Sequence, residues 1–310
     1  MGFLRTKLGQ IRRQIFGNTD DEVRELKRRV ESLDVLLKSY IDIRAMPRAR
    51  GGLRLIQLAD TALLKLLAEA MTRNGLEYWL ESGTLLGAVR HNGFIPWDDD
   101  IDISVTRAGY SKLEKVIEKE LPESEGFRAI RSDCMRLQFM GTPCQIDIFP
   151  YDVYNVPVDD VESAEERIWS EWKALHKKLK MDWARLKTDG YVLSGMSLEE
   201  IDLKSANLVE INNGERRLVL VGFEVFGDTD FFIPYEAVFP LAEMEFEGLK
   251  FKVPCDSDKI LVRQFGDYMQ FPREIPVHDD IRSRFTDSSV AKMKALIKKA
   301  GFAADFAAAM

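Results

Sequence analysis

The feature of this sequence that most constrains its fold and chemistry is a run of acidic residues ending a hydrophobic stretch. The run places four carboxylates in five positions, at Asp98, Asp99, Asp100 and Asp102. Ile101 and Ile103 alternate with the acids, which is typical of a β-strand with one buried face. Side chains two positions apart on a strand share a face, so Asp100 and Asp102 are expected to project together.

A pair of carboxylates in this position predicts a metal site. Two carboxylates held close together repel each other unless a positive charge lies between them. A hard divalent cation with oxygen ligands, Mg²⁺ or Mn²⁺, meets that need. A solvated acidic turn is the alternative, but Phe94, Ile95 and Trp97 precede the run, and burying them encloses the charges. An EF-hand loop is excluded because Ile103 and Gly109 occupy its required Gly and Glu positions.

A third acid, Asp147, lies in the segment QIDIF at 145–149, which is predicted to be a buried strand. A single acid flanked by isoleucines is unusual there unless it is paired or bound to metal. If this strand lies beside the first, Asp147 completes a cluster with Asp100 and Asp102. It would then bind the cation or take the proton from an attacking hydroxyl. A structural salt bridge is the alternative.

Candidate phosphate-binding residues lie just before the acidic run. Gly83 and Thr84 are expected in a turn between a strand and a helix, where backbone N–H groups can approach a phosphate. Arg90 could grip phosphate with two hydrogen bonds, or form a salt bridge to Asp98 or Asp99. His91 is a weaker candidate, because a loop histidine often only shapes its loop. We include Gly83, Thr84, Arg90 and His91 among the substrate-binding candidates, together with Asp98 and Asp99.

The N-terminal residues predict a helical arm with two parts. Residues 2–16 carry apolar side chains on one helical face and basic ones elsewhere, which favours contact with an anionic membrane surface or packing on protein. Gly17 and Asn18 are expected to interrupt this helix, and Thr19 to begin a new one through a capping box.

The second part of the arm has apolar residues at alternating steps of three and four, from Val23 to Tyr40. This spacing predicts a short coiled coil over 19–41, which would serve homo-oligomerisation or pack on its own chain. We predict an arm at 1–45, a linker at 46–52 and a catalytic domain at 53–310.

Composition excludes several classes of protein. The formal net charge is −7, which argues against a nucleic-acid binder because such a protein needs a basic surface. The three cysteines have no spacing suited to zinc or to a disulfide framework. No apolar run approaches the roughly 18 residues needed to cross a bilayer. We predict a cytoplasmic protein, with peripheral contact to the inner face of the membrane through residues 2–16 as a further hypothesis.

The segment GTLLGAVRHNGFIPWDDDIDI at 83–103, followed by IDIFP at 146–150, resembles the LicD family, which includes fukutin and fukutin-related proteins. The later FGDYMQFP at 265–272 is similar to a conserved ending of that family, with Phe265 in place of a tyrosine. The resemblance spans about residues 55–280.

It implies an α/β (α+β) nucleotidyltransferase-like fold, with a mixed sheet flanked by helices and a metal on Asp100, Asp102 and Asp147. It also implies transfer of phosphocholine or an alditol phosphate from a CDP-linked donor to a cell-surface glycan or lipid-linked glycan. Two alternatives remain: transfer of a nucleotidyl group to a small molecule or protein, and a non-catalytic, Ca²⁺-binding scaffold at a membrane.

Overall fold

The computed structural model describes residues 2–182, 184, 193–210, 216–225, 231–272, 275 and 285–302. The side chains of residues 2–20, 181, 206–210 and 216 fall outside that description. The chain divides into two compact units, one formed by residues 1–46 with 269–275 and the other by residues 47–268 with 276–310.

The first unit consists mainly of one long helix, α1 (Gly2–Tyr40), followed by a 3₁₀ turn at Ile43–Ala45. The predicted interruption at Gly17 and Asn18, with a new start at Thr19, is wrong. A glycine inside a helix costs only about 1 kcal/mol relative to alanine, and this cost does not end a helix of 39 residues. The membrane prediction for 2–16 concerns side chains outside the description and stays a prediction.

The second unit is built on one mixed sheet, which confirms the predicted fold class. Its strands run in the spatial order β1 (Trp79–Leu80), β2 (Ile101–Thr106), β5 (Gln145–Val156), β4 (Met135–Phe139) and β3 (Phe127–Arg131). The pair β2–β5 is parallel and the other neighbours are antiparallel. Further along β5, β8 (Arg216–Val221) pairs with it, and β9 (Ile233–Pro234) pairs with β8.

Helices and two small antiparallel pairs complete the second unit. The small pairs are β6–β7 (Lys180–Met181 with Leu193–Ser194) and β10–β11 (Ala242–Phe246 with Leu249–Val253). The helices are α2 (Gly51–Arg73), α3 (Ser82–His91), α4 (Arg107–Glu120), α5 (Val161–His176), α6 (Leu198–Glu210), α7 (Tyr235–Val238), α8 (Ser257–Phe265) and α9 (Asp287–Lys299). Helix α2 begins within the predicted linker.

The core determines which face of the sheet is polar. Ile101 and Ile103 of β2, with Ile146 and Ile148 of β5, are fully buried, and α2 and α4 pack on this part of the sheet. Because side chains alternate along a strand, Asp102 and Asp147 project from the opposite face. The alternation that predicts the strands therefore also places these two acids. Among the described helices, none is sufficiently long and apolar to span a membrane.

The glycine at position 87 allows α3 to pack tightly against the loop that follows it. A Cβ atom there would overlap the backbone carbonyl oxygen of Gly93 and lie 3.2 Å from the amide nitrogen of Ile95. Backbone atoms cannot rotate out of the way as a flexible side chain can, so the helix and the loop would have to separate.

We therefore expect Gly87→Ala to reduce the free energy of unfolding by about 1–3 kcal/mol, the usual effect of overpacking, measured by urea denaturation. Gly109 provides the matched control, because it also lies in a helix and the nearest atom to its added Cβ is 3.6 Å away. Gly109→Ala should leave stability unchanged or raise it. Equal losses in the two variants would contradict the packing argument.

Candidate active site

The site is centred on two acids that face each other across neighbouring parallel strands. Asp102 of β2 and Asp147 of β5 are directly paired in the strand register, and they lie on the same face of the sheet. The two strands are neighbours, as the sequence predicts. Asp100 and Asp98 lie in the loop that leads into β2.

These acids share one electrostatic environment. Burial raises the pKa of Asp102 well above its usual value, and the charges of Asp100, Asp147, Asp98 and Glu81 raise it further. Burial likewise raises the pKa of Asp98, with added contributions from the charge of Asp100 and a hydrogen bond to it. Such repulsion between enclosed carboxyls is the electrostatic condition that a bound cation relieves.

Asp147 has a partner that the sequence did not predict. The Nε atom of Arg136, on β4, lies 3.0 Å from Oδ1 of Asp147 and donates a hydrogen bond of 3.3 Å to Oδ2. The same guanidinium lies 3.7 Å from Asp133. Burial raises the pKa of Asp147 to about 6, against the opposing effect of Arg136 and with a further increase from Asp100. The salt bridge considered as an alternative role for Asp147 is therefore present.

The donor atoms of the site suit a hard cation in their chemistry. All of the clustered groups are carboxylates, and Oδ1 of Asp147 is buried without a hydrogen bond of acceptable geometry. In the part of the chain that the structure describes, no three His, Cys, Asp or Glu side chains are already arranged around a common point. A cation at this site would draw the carboxylates together and compete with Arg136 for Asp147. The predicted Mg²⁺ or Mn²⁺ remains a prediction.

The loop that carries the acids is anchored from two sides. The side-chain amide of Gln57, buried in α2, donates a hydrogen bond of 2.9 Å to the carbonyl oxygen of Asp98. Glu247, at the turn between β10 and β11, accepts hydrogen bonds from Arg54 of α2 at 2.6 and 3.0 Å and from the amide of Phe94 at 3.2 Å. Since Arg54 and Glu247 are both buried, these contacts fix the loop against α2 and the β10–β11 hairpin.

The first turn of α3 lies against the acidic strand. The hydroxyl oxygen of Thr84 accepts a hydrogen bond of 2.9 Å from the amide of Asp102. A Cβ atom on Gly83 would lie 2.9 Å from Oδ2 of Asp98, so glycine permits the close approach of this carboxyl. The N-terminus of a helix carries a partial positive charge, and Asp98 lies beside it. Gly83, Thr84, Asp98 and Asp102 are thus brought together.

Arg90 and His91, at the end of α3, make different contacts. The Arg90 guanidinium donates to the carbonyl oxygen of Tyr268 at 2.6 Å and to Nε2 of His91 at 2.9 Å. Burial lowers the pKa of Arg90 to about 10, and burial with the Arg90 charge lowers the pKa of His91 to about 4. His91 is therefore neutral near pH 7 and brings no positive charge to a phosphate. Their predicted role in substrate binding remains untested.

Sequence reasoning missed a buried acid next to the site. Oε2 of Glu81 accepts hydrogen bonds from Nε1 of Trp79 at 2.9 Å and from Oγ of Ser104 at 3.0 Å. The backbone amide of Glu81 donates to the carbonyl oxygen of Asp102 at 3.1 Å. Its position immediately before the SGT turn was the available signal. No sequence signal pointed to Arg136 or Gln57, whose contacts depend on strand pairing and helix packing.

Comparison with known proteins shows that the segment carrying these acids matches a known domain family. Residues 75–187 match the sequence profile of the LicD/FKTN/FKRP nucleotidyltransferase domain, and all the clustered acids lie in this range. The chain is 29% identical over 251 residues to the lipopolysaccharide cholinephosphotransferase LicD of Haemophilus influenzae, which covers 72% of this chain and 93% of that protein.

Two further relatives match over shorter segments. The ribitol 5-phosphate transferase FKRP of Homo sapiens is 33% identical over 84 residues, 25% of this chain and 17% of that protein. The ribitol-5-phosphate transferase FKTN of Mus musculus is 31% identical over 128 residues, 39% of this chain and 26% of that protein. Strands β1–β5 and the clustered acids lie within the matched nucleotidyltransferase domain. Residues 75–187 carry a domain of the LicD/FKTN/FKRP family, and the relatives named here are phosphotransferases by name.

The ion pair between Arg136 and Asp147 yields a prediction about the Asp147 carboxyl. Removing the guanidinium with Arg136→Met should raise the pKa of Asp147 above its present value of about 6 by at least about one unit, because a neighbouring opposite charge favours the ionised form by that amount or more. The pKa is measured by NMR of ¹³C-labelled carboxyl groups, with Asp147→Asn to assign the signal. The exposed Arg128 on β3 provides the control variant Arg128→Met. An unchanged pKa in Arg136→Met would contradict the pairing.

Proposed function

We propose that this chain transfers a phosphate-linked group from a CDP-linked donor to a hydroxyl of a glycan or lipid-linked glycan. The group would be phosphocholine or an alditol phosphate such as ribitol phosphate. The match to a cholinephosphotransferase over most of both chains, and the shorter matches to two ribitol phosphate transferases, support this choice of groups. The observation that carries the proposal is the pairing of Asp102 with Asp147 on adjacent parallel strands.

The clustered acids would bind the charged part of the donor through a divalent ion. Asp100, Asp102 and Asp147 are the residues that would hold Mg²⁺ or Mn²⁺. When bound, such an ion neutralises the negative charge of a pyrophosphate. Phosphoryl transfer depends mainly on positioning and charge neutralisation rather than on covalent help from the protein. A cluster of carboxyls is repulsive to a nucleotide by itself, so the proposal requires the cation.

The acceptor hydroxyl also needs a group that can take its proton. The alternative role of Asp147 is to take this proton instead of binding the cation: with a pKa of about 6 it is mostly ionised at neutral pH and can act as a base. The acceptor oxygen then forms a bond to the phosphorus that carries the choline or the alditol. The bond from that phosphorus to the oxygen of CMP breaks, and CMP leaves. In the role of base, Asp147 would be kept ionised and oriented by Arg136.

Residues around α3 would hold the phosphates of the donor. The first turn of α3, with Gly83 and Thr84, offers backbone N–H groups to an anion. Asp98 lies at the same place with a raised pKa, and a protonated carboxyl can donate a hydrogen bond to a phosphate oxygen. Arg90, His91 and Asp99 remain in the proposal as residues that shape this end of the pocket.

The same comparison supports a proposal for the acceptor and for the location of the enzyme. The Haemophilus relative is a lipopolysaccharide cholinephosphotransferase, so a lipopolysaccharide or another cell-surface glycan is the acceptor class we favour. Such a glycan is built on a lipid at the membrane, and a cytoplasmic enzyme with peripheral contact at the inner face could reach it.

The activity is tested by incubating the protein with Mg²⁺, a lipopolysaccharide acceptor and CDP-choline, CDP-ribitol or CDP-glycerol in turn, and measuring CMP. We expect CMP release with one donor, and a loss of at least about 100-fold in Asp102→Asn and Asp147→Asn, since groups that stabilise charge in the transition state contribute on this scale. Asp159→Asn is the matched control, because Asp159 is exposed.

Three outcomes would contradict the proposal. Release of pyrophosphate from CTP or another nucleoside triphosphate, with no CMP from any CDP-linked donor, would show nucleotidyl transfer instead. Full activity in Asp102→Asn would remove the acids from the mechanism, and an absence of any transfer together with Ca²⁺ binding would support a scaffold.

The cation requirement gives a separate prediction about pH. A cation binds the ionised carboxylate, so protons compete with it below the pKa of Asp147, about 6. The affinity for Mn²⁺ should fall as the pH falls, by up to about tenfold per unit for each proton displaced, and the raised pKa of Asp102 extends this dependence above the pKa of Asp147. Isothermal titration measures it, and Asp147→Asn should lose the part of the pH dependence that Asp147 contributes. Affinity that rises as the pH falls would contradict the site.

A further inference from the structure

Among the residues that the structure describes, the first unit exposes an apolar seam along α1. The seam consists of positions 23, 26, 30, 33, 37 and 40 of α1, which recur at alternating steps of four and three. Five of its six side chains are 45–81% exposed: Val23, Leu26, Val30, Leu33 and Tyr40. The regular spacing places these apolar side chains on one face of α1. That face is largely exposed to solvent.

The identity of the seam residues indicates what covers them. In heptad notation Val23, Val30 and Leu37 occupy the a positions, while Leu26, Leu33 and Tyr40 occupy the d positions. β-Branched residues at a combined with leucine at d favour two parallel helices over larger bundles. The first four seam residues follow this rule in both heptads, which points to a two-stranded structure.

The charges beside the seam fit a second copy of the same helix. In a parallel two-stranded coiled coil, a g residue of one helix faces the e residue five positions later on the other. Glu22 at g would then face Lys27 at e, and Arg29 at g would face Asp34 at e. Each pair joins opposite charges, and two-fold symmetry makes each of them twice. The next pair, Leu36 with Ile41, is apolar on both sides, and both residues are exposed in the single chain.

We propose that residues 22–41 form a parallel, in-register coiled coil with a second copy of this chain. The occupant is the chain itself, because identical helices satisfy the a, d, e and g positions together. The seam covers about two and a half heptads, so the association is weak enough to be concentration-dependent. This dimer is independent of the proposed transfer reaction.

The test begins with the mass of the full chain in solution, measured by sedimentation equilibrium from 1 to 200 µM. We expect the mean mass to rise from 35.5 kDa towards twice that value. In Leu26→Glu/Leu33→Glu it should stay at one chain. Both leucines are 58% exposed, so these changes disturb little packing within one chain, and circular dichroism and CMP release should be unchanged. A wild-type mass that does not depend on concentration, or association that persists in the double variant, would overturn the proposal.

The charge pairs test the register. Lys27→Glu places two glutamates opposite each other at each of the symmetric pairs and should weaken association by about threefold to tenfold, the range for exposed ion pairs. The double variant Glu22→Lys/Lys27→Glu restores opposite charges across the interface and should recover the wild-type affinity. Failure of the double variant to recover would contradict the parallel in-register arrangement.

Cysteine cross-linking tests the direction of the helices in a Cys255→Ser background, since Cys255 is an exposed thiol. A parallel dimer brings Leu26 next to its own copy, so Leu26→Cys should form a disulfide-linked dimer on mild oxidation. Arg28→Cys, on the outer face, is the control and should not. An antiparallel pair would instead link Leu26→Cys to Leu37→Cys in a mixture and would overturn the proposal. The proposal would also be overturned if the wild-type chain stayed monomeric and sedimented with phosphatidylglycerol vesicles while Leu26→Glu/Leu33→Glu did not. Lipid would then cover the seam.

Discussion

Repulsion between enclosed carboxylates is the physical constraint on which the second unit depends. Asp102 and Asp147 are held opposite each other by the parallel pairing of β2 and β5, and Asp100 and Asp98 add their charge to the same place. Burial and these neighbours raise the pKa of Asp102, so the arrangement opposes ionisation. A protein keeps such an arrangement when a ligand of opposite charge repays the repulsion. Arg136 offsets part of it at Asp147, and a cation would offset the rest.

Much of the surrounding structure can be understood as the means of holding these acids in place. The parallel strands fix the separation of Asp102 and Asp147. Gln57 and the Arg54–Glu247 ion pair fix the preceding loop. Thr84 ties the first turn of α3 to the backbone of Asp102. These contacts come from separate parts of the chain, so the acidic loop is held by α2, by α3 and by the β10–β11 hairpin together. Rigid support of this kind is what charge stabilisation in a transition state requires.

The sequence predicts the strands and the acids well because both depend on local alternation. Ile101 and Ile103 identify β2 and its buried face, and Ile146 and Ile148 do the same for β5. The contacts of Arg136 could not be predicted, because they depend on which strand lies beside β5. Glu247 is 199 positions from Arg48 and 193 from Arg54, and no local pattern links residues so far apart. The expected break at Gly17 is absent for a different reason. Glycine is a local signal for a helix end, but its free-energy cost inside a helix is small, and α1 continues through it.

The central claim is that Asp102 and Asp147 share a divalent ion that binds the donor. Its most direct test is anomalous X-ray diffraction from crystals of the full chain grown with Mn²⁺ and CDP. The account predicts an anomalous peak within bonding distance of carboxylate oxygens of Asp102 and Asp147 and of a CDP phosphate oxygen, with the Arg136–Asp147 contact lengthened. Bound CDP with no manganese peak at these acids, or a peak elsewhere with Asp147 still paired to Arg136, would contradict it.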